Sequence, residues 1–103
     1  MKHFRPNHKG TIAITANATA QNVSLPTGGG LLARVQNSGP QIAFVEFTSD
    51  SSASVDTPTT VGGGFPVFAN QPALAVTFRS TDTNVVVVSA GKSTVYITRG
   101  EQT

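Results

Sequence analysis

Residues Leu31 to Phe47 read LLARVQNSGPQIAFVEF, two short apolar runs joined by Gln36, Asn37, Ser38, Gly39 and Pro40. In the first run Leu31, Ala33 and Val35 alternate with Leu32, Arg34 and Gln36. In the second, Ala43, Val45 and Phe47 alternate with Ile42, Phe44 and Glu46. A period of two sends successive side chains to opposite faces of an extended strand, and neither run has a helical period. Asn-Ser-Gly-Pro tolerates positive φ or presets a turn value, so the chain can reverse there without strain. The stretch reads as a β-hairpin. If Ala43, Val45 and Phe47 face the core, Ile42 and Phe44 face outward and join Leu32 of the other arm in an apolar patch. Either a subunit interface or a second internal layer would cover such a patch.

The same alternation recurs on both sides of this stretch. Thr11 to Thr15 (TIAIT) and Thr19 to Leu25 (TAQNVSL) precede it, and Ala73 to Ser80 (ALAVTFRS) and Ser93 to Arg99 (STVYITR) follow. Val85 to Val88 is a run of valines without alternation, the pattern of a strand covered on both faces. Thr48 to Thr60 is rich in Ser, Thr and Asp and reads as a long surface connection or a poorly buried edge. Phe65 to Phe68 (FPVF) holds Pro66, which cannot donate to a ladder and so belongs at an edge or at a strand's first residues. Short strands at intervals of about ten residues, punctuated by Gly, Pro and Asn, predict an all-β fold. The expected architecture is one antiparallel β-sandwich, jelly-roll-like or a small barrel, over residues 10–103. Residues 1–9 (MKHFRPNHK) are expected to form an extended basic arm, ordered through Phe4 on a groove of its own body or of a neighbour.

Composition narrows the function. The chain has 103 residues and no cysteine, so packing must stabilise it without disulfides or thiolate metal sites. Charged residues make up 12% of it, about half the usual share. A surface so thinly charged fits one largely covered by neighbours. It fits equally a hydroxyl-rich sandwich built for harsh conditions. Lys2, Arg5, Lys9, His3 and His8 concentrate positive charge in the arm. The body holds Arg34, Arg79, Lys92 and Arg99 against Glu46, Asp50, Asp56, Asp82 and Glu101. Phosphate-tracking surfaces need clustered Lys and Arg, so no nucleic-acid partner is expected. The N-terminus lacks the apolar core of a secretory signal, and no apolar run approaches a membrane span. Synthesis in the cytoplasm without membrane attachment follows as an expectation.

Tests for chemistry return little. His3 and His8 lie in the arm with no third ligand nearby, and the spacing of Asp50 and Asp56 does not match a calcium loop. A Ser-His-Asp arrangement would need a histidine in the body. The triple glycines at 28–30 and 62–64 lack the helix and the Lys-Ser or Lys-Thr pair of a phosphate loop. The expectation is a non-enzymatic protein without metal or cofactor.

The hairpin, the segment FPVFANQPALAVTFRS and the ending VVVVSAGKSTVYITRGE together resemble small virion proteins of tailed bacteriophages. These carry an R-V-x-N-x-G turn leading to F-V-x-F and an A-x-G-x-x-x-[VL]-Y-[IV]-T segment before Gly-Glu, matched here by Ala90, Gly91, Val95, Tyr96, Ile97, Thr98, Gly100 and Glu101. The resemblance covers about residues 31–101. It implies a virion structural protein, such as a capsid cement or decoration protein that binds the major capsid protein or another virion protein and reinforces the head shell, commonly as a homotrimer. A tail, connector or fibre-tip component, with receptor or glycan binding as one role, is the alternative. Lys2, Phe4, Arg5, Lys9, Leu32, Ile42 and Phe44 are the expected interface residues.

Overall fold

A computed structural model describes residues 4–26, 28–53 and 64–102. Within them run the strands β1 (Phe4–Ala16), β2 (Gln21–Ser24), β3 (Leu32–Asn37), β4 (Ala43–Thr48), β5 (Phe65–Val67), β6 (Leu74–Thr77), β7 (Asn84–Ser89) and β8 (Ser93–Gln102). They form two antiparallel four-stranded sheets in a sandwich-like arrangement. Sheet A has the order β1-β8-β3-β6 and sheet B the order β2-β7-β4-β5. Folding the chain like a ribbon doubled between β4 and β5 reproduces the pairs β4·β5, β3·β6, β2·β7 and β1·β8, and β3·β8 and β4·β7 then complete the sheets.

The core lies between the sheets, where the inward residues of each alternating strand meet. Ile14, Ala33, Val35, Val95 and Ile97 of sheet A face Ala43, Val45, Val67, Val85 and Val87 of sheet B. Burying a valine side chain contributes roughly 1.5–3 kcal/mol, so this set supplies most of the drive for closure. Val86 and Val88 point the other way yet are equally buried, packed against Ala20, Phe44 and Ala53. The valine run is therefore covered on both faces, and on the outer one this chain supplies the cover. Asn22 fastens that cover by donating from Nδ2 to the carbonyls of Asp50 (3.1 Å) and Ala53 (3.0 Å).

Two expectations need correction. Leu31 to Phe47 is not a hairpin, because β3 lies in sheet A and β4 in sheet B, with no ladder between them. Alternation gives each strand its inner face but not its partner, and both strands turn their apolar sets toward one core from opposite sides. Asn37 holds the crossing. Its Nδ2 donates to the carbonyls of Gln41 (2.6 Å) and Val67 (3.0 Å), and its Oδ1 accepts from the Gly39 N–H (3.1 Å) and the Ser93 hydroxyl (2.5 Å). The crossing also divides the expected apolar patch. Leu32 stands on the outer face of sheet A, while Phe44 stands on that of sheet B and Ile42 immediately precedes β4.

The segment expected to be an extended arm is, from Phe4 onward, part of β1. Phe4, Arg5 and Pro6 pair with Gln102, Glu101 and Gly100, and pairing resumes at Thr11 with Thr98. Between these stretches Asn7, His8, Lys9 and Gly10 swing out opposite Arg99 alone, with Lys9 at φ 56°. Asn7 donates from Nδ2 to the Gly29 carbonyl at 2.8 Å and ties this excursion to the loop before β3. Pro66 lies in an edge strand, as its missing N–H requires.

Candidate functional site

β5 and β6 are consecutive strands on the same side of the sandwich, each at the edge of a different sheet. The seam between them opens into two hollows. The larger, about 460 Å³, is lined by Val45, Glu46, Phe47, Gly64, Phe65, Thr77, Phe78, Arg79 and Asp82. Its floor is a column of rings. Phe47 stacks on Phe78 with centroids 5.3 Å apart and on Phe65 at 6.2 Å, with interplanar angles of 19° and 24°. The guanidinium of Arg99 lies 5.1 Å above the Phe78 ring and extends the column across the end of the sandwich.

The charges here are largely committed to structure. Arg99 donates from Nε to the Gly30 carbonyl (3.1 Å) and from Nη1 to that of Pro26 (3.2 Å), pinning the β2–β3 connection. Asp82 is buried and closes the β6–β7 turn, its Oδ2 accepting from the Arg79 N–H at 2.9 Å and its Oδ1 from Arg79 Nη2 at 3.4 Å. Of the charged groups here among the described residues, Glu46 and the outer side of Arg79, whose side chain is 77% exposed, are left to address a ligand. Such a groove can hold an apolar or ring-shaped group. Among the described residues no three His, Asp or Glu side chains gather to hold a metal ion.

The second hollow, about 310 Å³, is lined by Pro66, Val67, Phe68, Gln71, Pro72 and Leu74 and carries no charge. Phe68 is 59% exposed and Leu74 43%, which makes this the most apolar exposed corner among the described residues. The sequence signal for it was the pair of short apolar runs flanking Asn70, Gln71 and Pro72. Their meaning depended on β5 and β6 landing side by side in different sheets.

The residues expected at an interface fall into separate groups. Phe4 is half-buried on its own body: the Arg34 guanidinium lies 4.9 Å above its ring, and its ring tip occupies the space a side chain at Gly100 would need. Leu32 lies beside it, also half-buried, and Arg5 and Lys9 are exposed along β1. Phe44 packs on Val86 and Val88 on the far side of the molecule, with Ile42 half-buried next to it in sequence. Lys2 lies outside the described residues.

Sheet A presents an outer face that no other element covers among the described residues. Thr11, Ala13, Thr15, Gln36, Ala75, Thr77 and Tyr96 are exposed on it, with Thr94 and Thr98 half-buried among them. Thr11 and Thr98 join hydroxyls at 2.9 Å. Among the described residues Arg34 is the one charged side chain on this face, and it is held over Phe4. No family model, curated protein or solved structure matches this chain.

Proposed function

We propose that this chain is a non-enzymatic structural protein of a bacteriophage virion, a capsid cement or decoration protein that binds an assembled head shell. The strand orders β1-β8-β3-β6 and β2-β7-β4-β5 support reading the fold as an eight-stranded jelly roll, a doubled ribbon rolled into two sheets. That architecture serves viral capsid proteins, and it also serves lectins and cupins, so fold alone carries little of the argument. The observation that carries it is the outer face of sheet A. A nearly neutral face of Thr, Ala, Gln and Tyr, with Arg34 its one charged side chain among the described residues, costs less to desolvate than a charged one. Phe4, Arg34 and Leu32 lie at one end of that face, and Arg5 and Lys9 flank it along β1. They would set approach to an acidic shell surface while the neutral face supplies contact area.

The test is co-sedimentation of the purified protein with assembled phage head shells, together with the melting temperature of the shells. Saturable binding and a raised shell melting temperature support the reading. Ala13→Lys, which sets a charge in the middle of the face, should abolish binding while leaving the protein's own melting temperature within a few degrees. No binding by the unaltered protein, or binding indifferent to Ala13→Lys, would refute it.

The second reading, a tail or fibre-tip component that binds a glycan, is favoured by the Phe47, Phe65 and Phe78 column beside Glu46 and Arg79. Aromatic faces bordered by a few polar groups suit sugar rings. A glycan-array signal lost in Phe65→Ala would put this reading first.

A further inference from the structure

An edge strand exposes a row of unpaired N–H and C=O groups, and folded proteins usually guard it. Among the described residues, three of the four edges carry a guard. β5 holds Pro66. β1 is broken by the excursion at Asn7 to Gly10 and carries Arg5, His8 and Lys9 along its first half. β2 lies beside the 50–53 segment that Asn22 fastens. β6 has neither proline, charge nor bulge; it begins at the exposed Leu74, and the exposed Phe68 lies in the same hollow.

The open groups of β6 can be identified. The Phe78 N–H donates to the Leu31 carbonyl at 3.0 Å, and the Ser38 N–H donates to the Thr94 carbonyl at 2.9 Å. Hydrogen-bonding direction alternates along a strand, so odd-numbered residues of β3 bond toward β6 and even-numbered ones toward β8. With Val35 opposite Leu74 and Ala33 opposite Val76, the main-chain groups of Leu74, Val76 and Phe78 are used by β3. Those of Ala75 and Thr77 point away from β3, to the edge that no other described strand pairs.

We infer that β6 is a self-pairing edge: two copies of this chain join β6 to β6, antiparallel, about a two-fold axis through Val76. In that register Ala75 of each copy lies opposite Thr77 of the other. Each such pair exchanges both of its N–H···O=C bonds, roughly four bonds in all, and sheet A becomes continuous across the two copies. The choice of a second copy rests on self-complementarity of charge and shape. A strand with a charge near its centre would meet its own like charge across the axis. Here Val76 meets Val76, Leu74 meets Phe78, and Arg79, turned toward Asp82, comes opposite Ala73. The exposed Leu74 is thereby covered. Pairing this short lies at the small end of specific interfaces, below about 1,200 Å² in total, so association should depend on concentration through the micromolar range.

Sedimentation equilibrium and amide hydrogen exchange on the full chain test this. The expected mass rises with concentration from 10.6 kDa to twice that and no further. Over the same range the Ala75 and Thr77 amides should slow by about tenfold or more, while the Leu74 and Val76 amides stay protected throughout. Ala75→Pro removes an edge N–H that β3 does not use, and proline is tolerated on such an edge. That variant should remain monomeric at all concentrations. A monomer throughout, a trimer or larger ring, or a dimer whose Ala75 and Thr77 amides stay fast would each overturn the inference. If Ala75→Pro fails to fold, exchange in the unaltered chain still decides. Shell binding is read separately, so a monomer that co-sediments with shells would refute the pairing and leave the proposed function standing.

Discussion

Asn37 shows how much one polar side chain can hold in a sandwich. It is 1% exposed and satisfies two carbonyls, one N–H and one hydroxyl, contributed by the β3–β4 crossing, β5 and β8. Alanine there would strand these groups in the interior, each at the cost of a buried unsatisfied partner. Asn37→Ala should lower stability by about 2–4 kcal/mol in urea unfolding. Asp50 works more weakly, at the surface. The Ser52 backbone N–H, and after it the Ser52 hydroxyl, donate to its carboxylate at 2.9 and 2.7 Å and hold its pKa below the ordinary 3.8. A depressed folded pKa favours the charged form, so its contribution is complete above pH 3.8 and is lost as pH falls through the lower folded value. The stability difference between the unaltered protein and Asp50→Ala should therefore be larger at neutral pH than at pH values well below 3.8. Paired urea titrations at the two pH values read it.

Among the elements, β7 connects pattern to packing most directly. Four consecutive valines carry no alternation to say which face is inner, and both faces are in fact buried, Val85 and Val87 in the main core and Val86 and Val88 beneath the 50–53 segment. Val86→Ala and Val87→Ala should each cost about 1.5–3 kcal/mol, whereas truncating a solvent-facing strand residue typically costs under 0.5. Equal losses in urea midpoint would confirm that the outer cover is true packing; a negligible loss at Val86 would show a loose one. Strand existence was legible nearly everywhere. Pairing was not: residues 31–47 contained every local requirement of a hairpin, yet β3 and β4 parted into different sheets. Turn chemistry permits a reversal without saying whether the two strands then share an edge. The basic start of β1 misled for a related reason. With no apolar period of its own, its order comes from the β8 backbone and from Phe4 lying over Gly100.

At the scale of the whole molecule, the doubled-ribbon topology joins the two ends of the chain, Phe4 to Gln102 and Ala16 to Ser93. Such pairings pay loop-closure entropy before any contact repays it. Folding should therefore be slow for a chain of this length, in about milliseconds to seconds. Stopped-flow refolding measures it, and a microsecond phase carrying the full amplitude would contradict it.

The same scale separates what the residues carried by themselves from what the tertiary structure alone decided. Periods of two, valine runs and Gly, Pro and Asn punctuation determined an all-β chain, its strand positions apart from the start of β1, and the edge placement of Pro66, because each follows from the conformation of a few neighbouring residues. The candidate site was different in kind. The aromatic column draws Phe47, Phe65 and Phe78 from three strands, the neutral outer face draws on β1, β8, β3 and β6, and the open edge of β6 exists because sheet A stops there. None of these is a property of any segment. They arise from which strands pair, and that choice is made by burying the apolar faces of all eight strands at once.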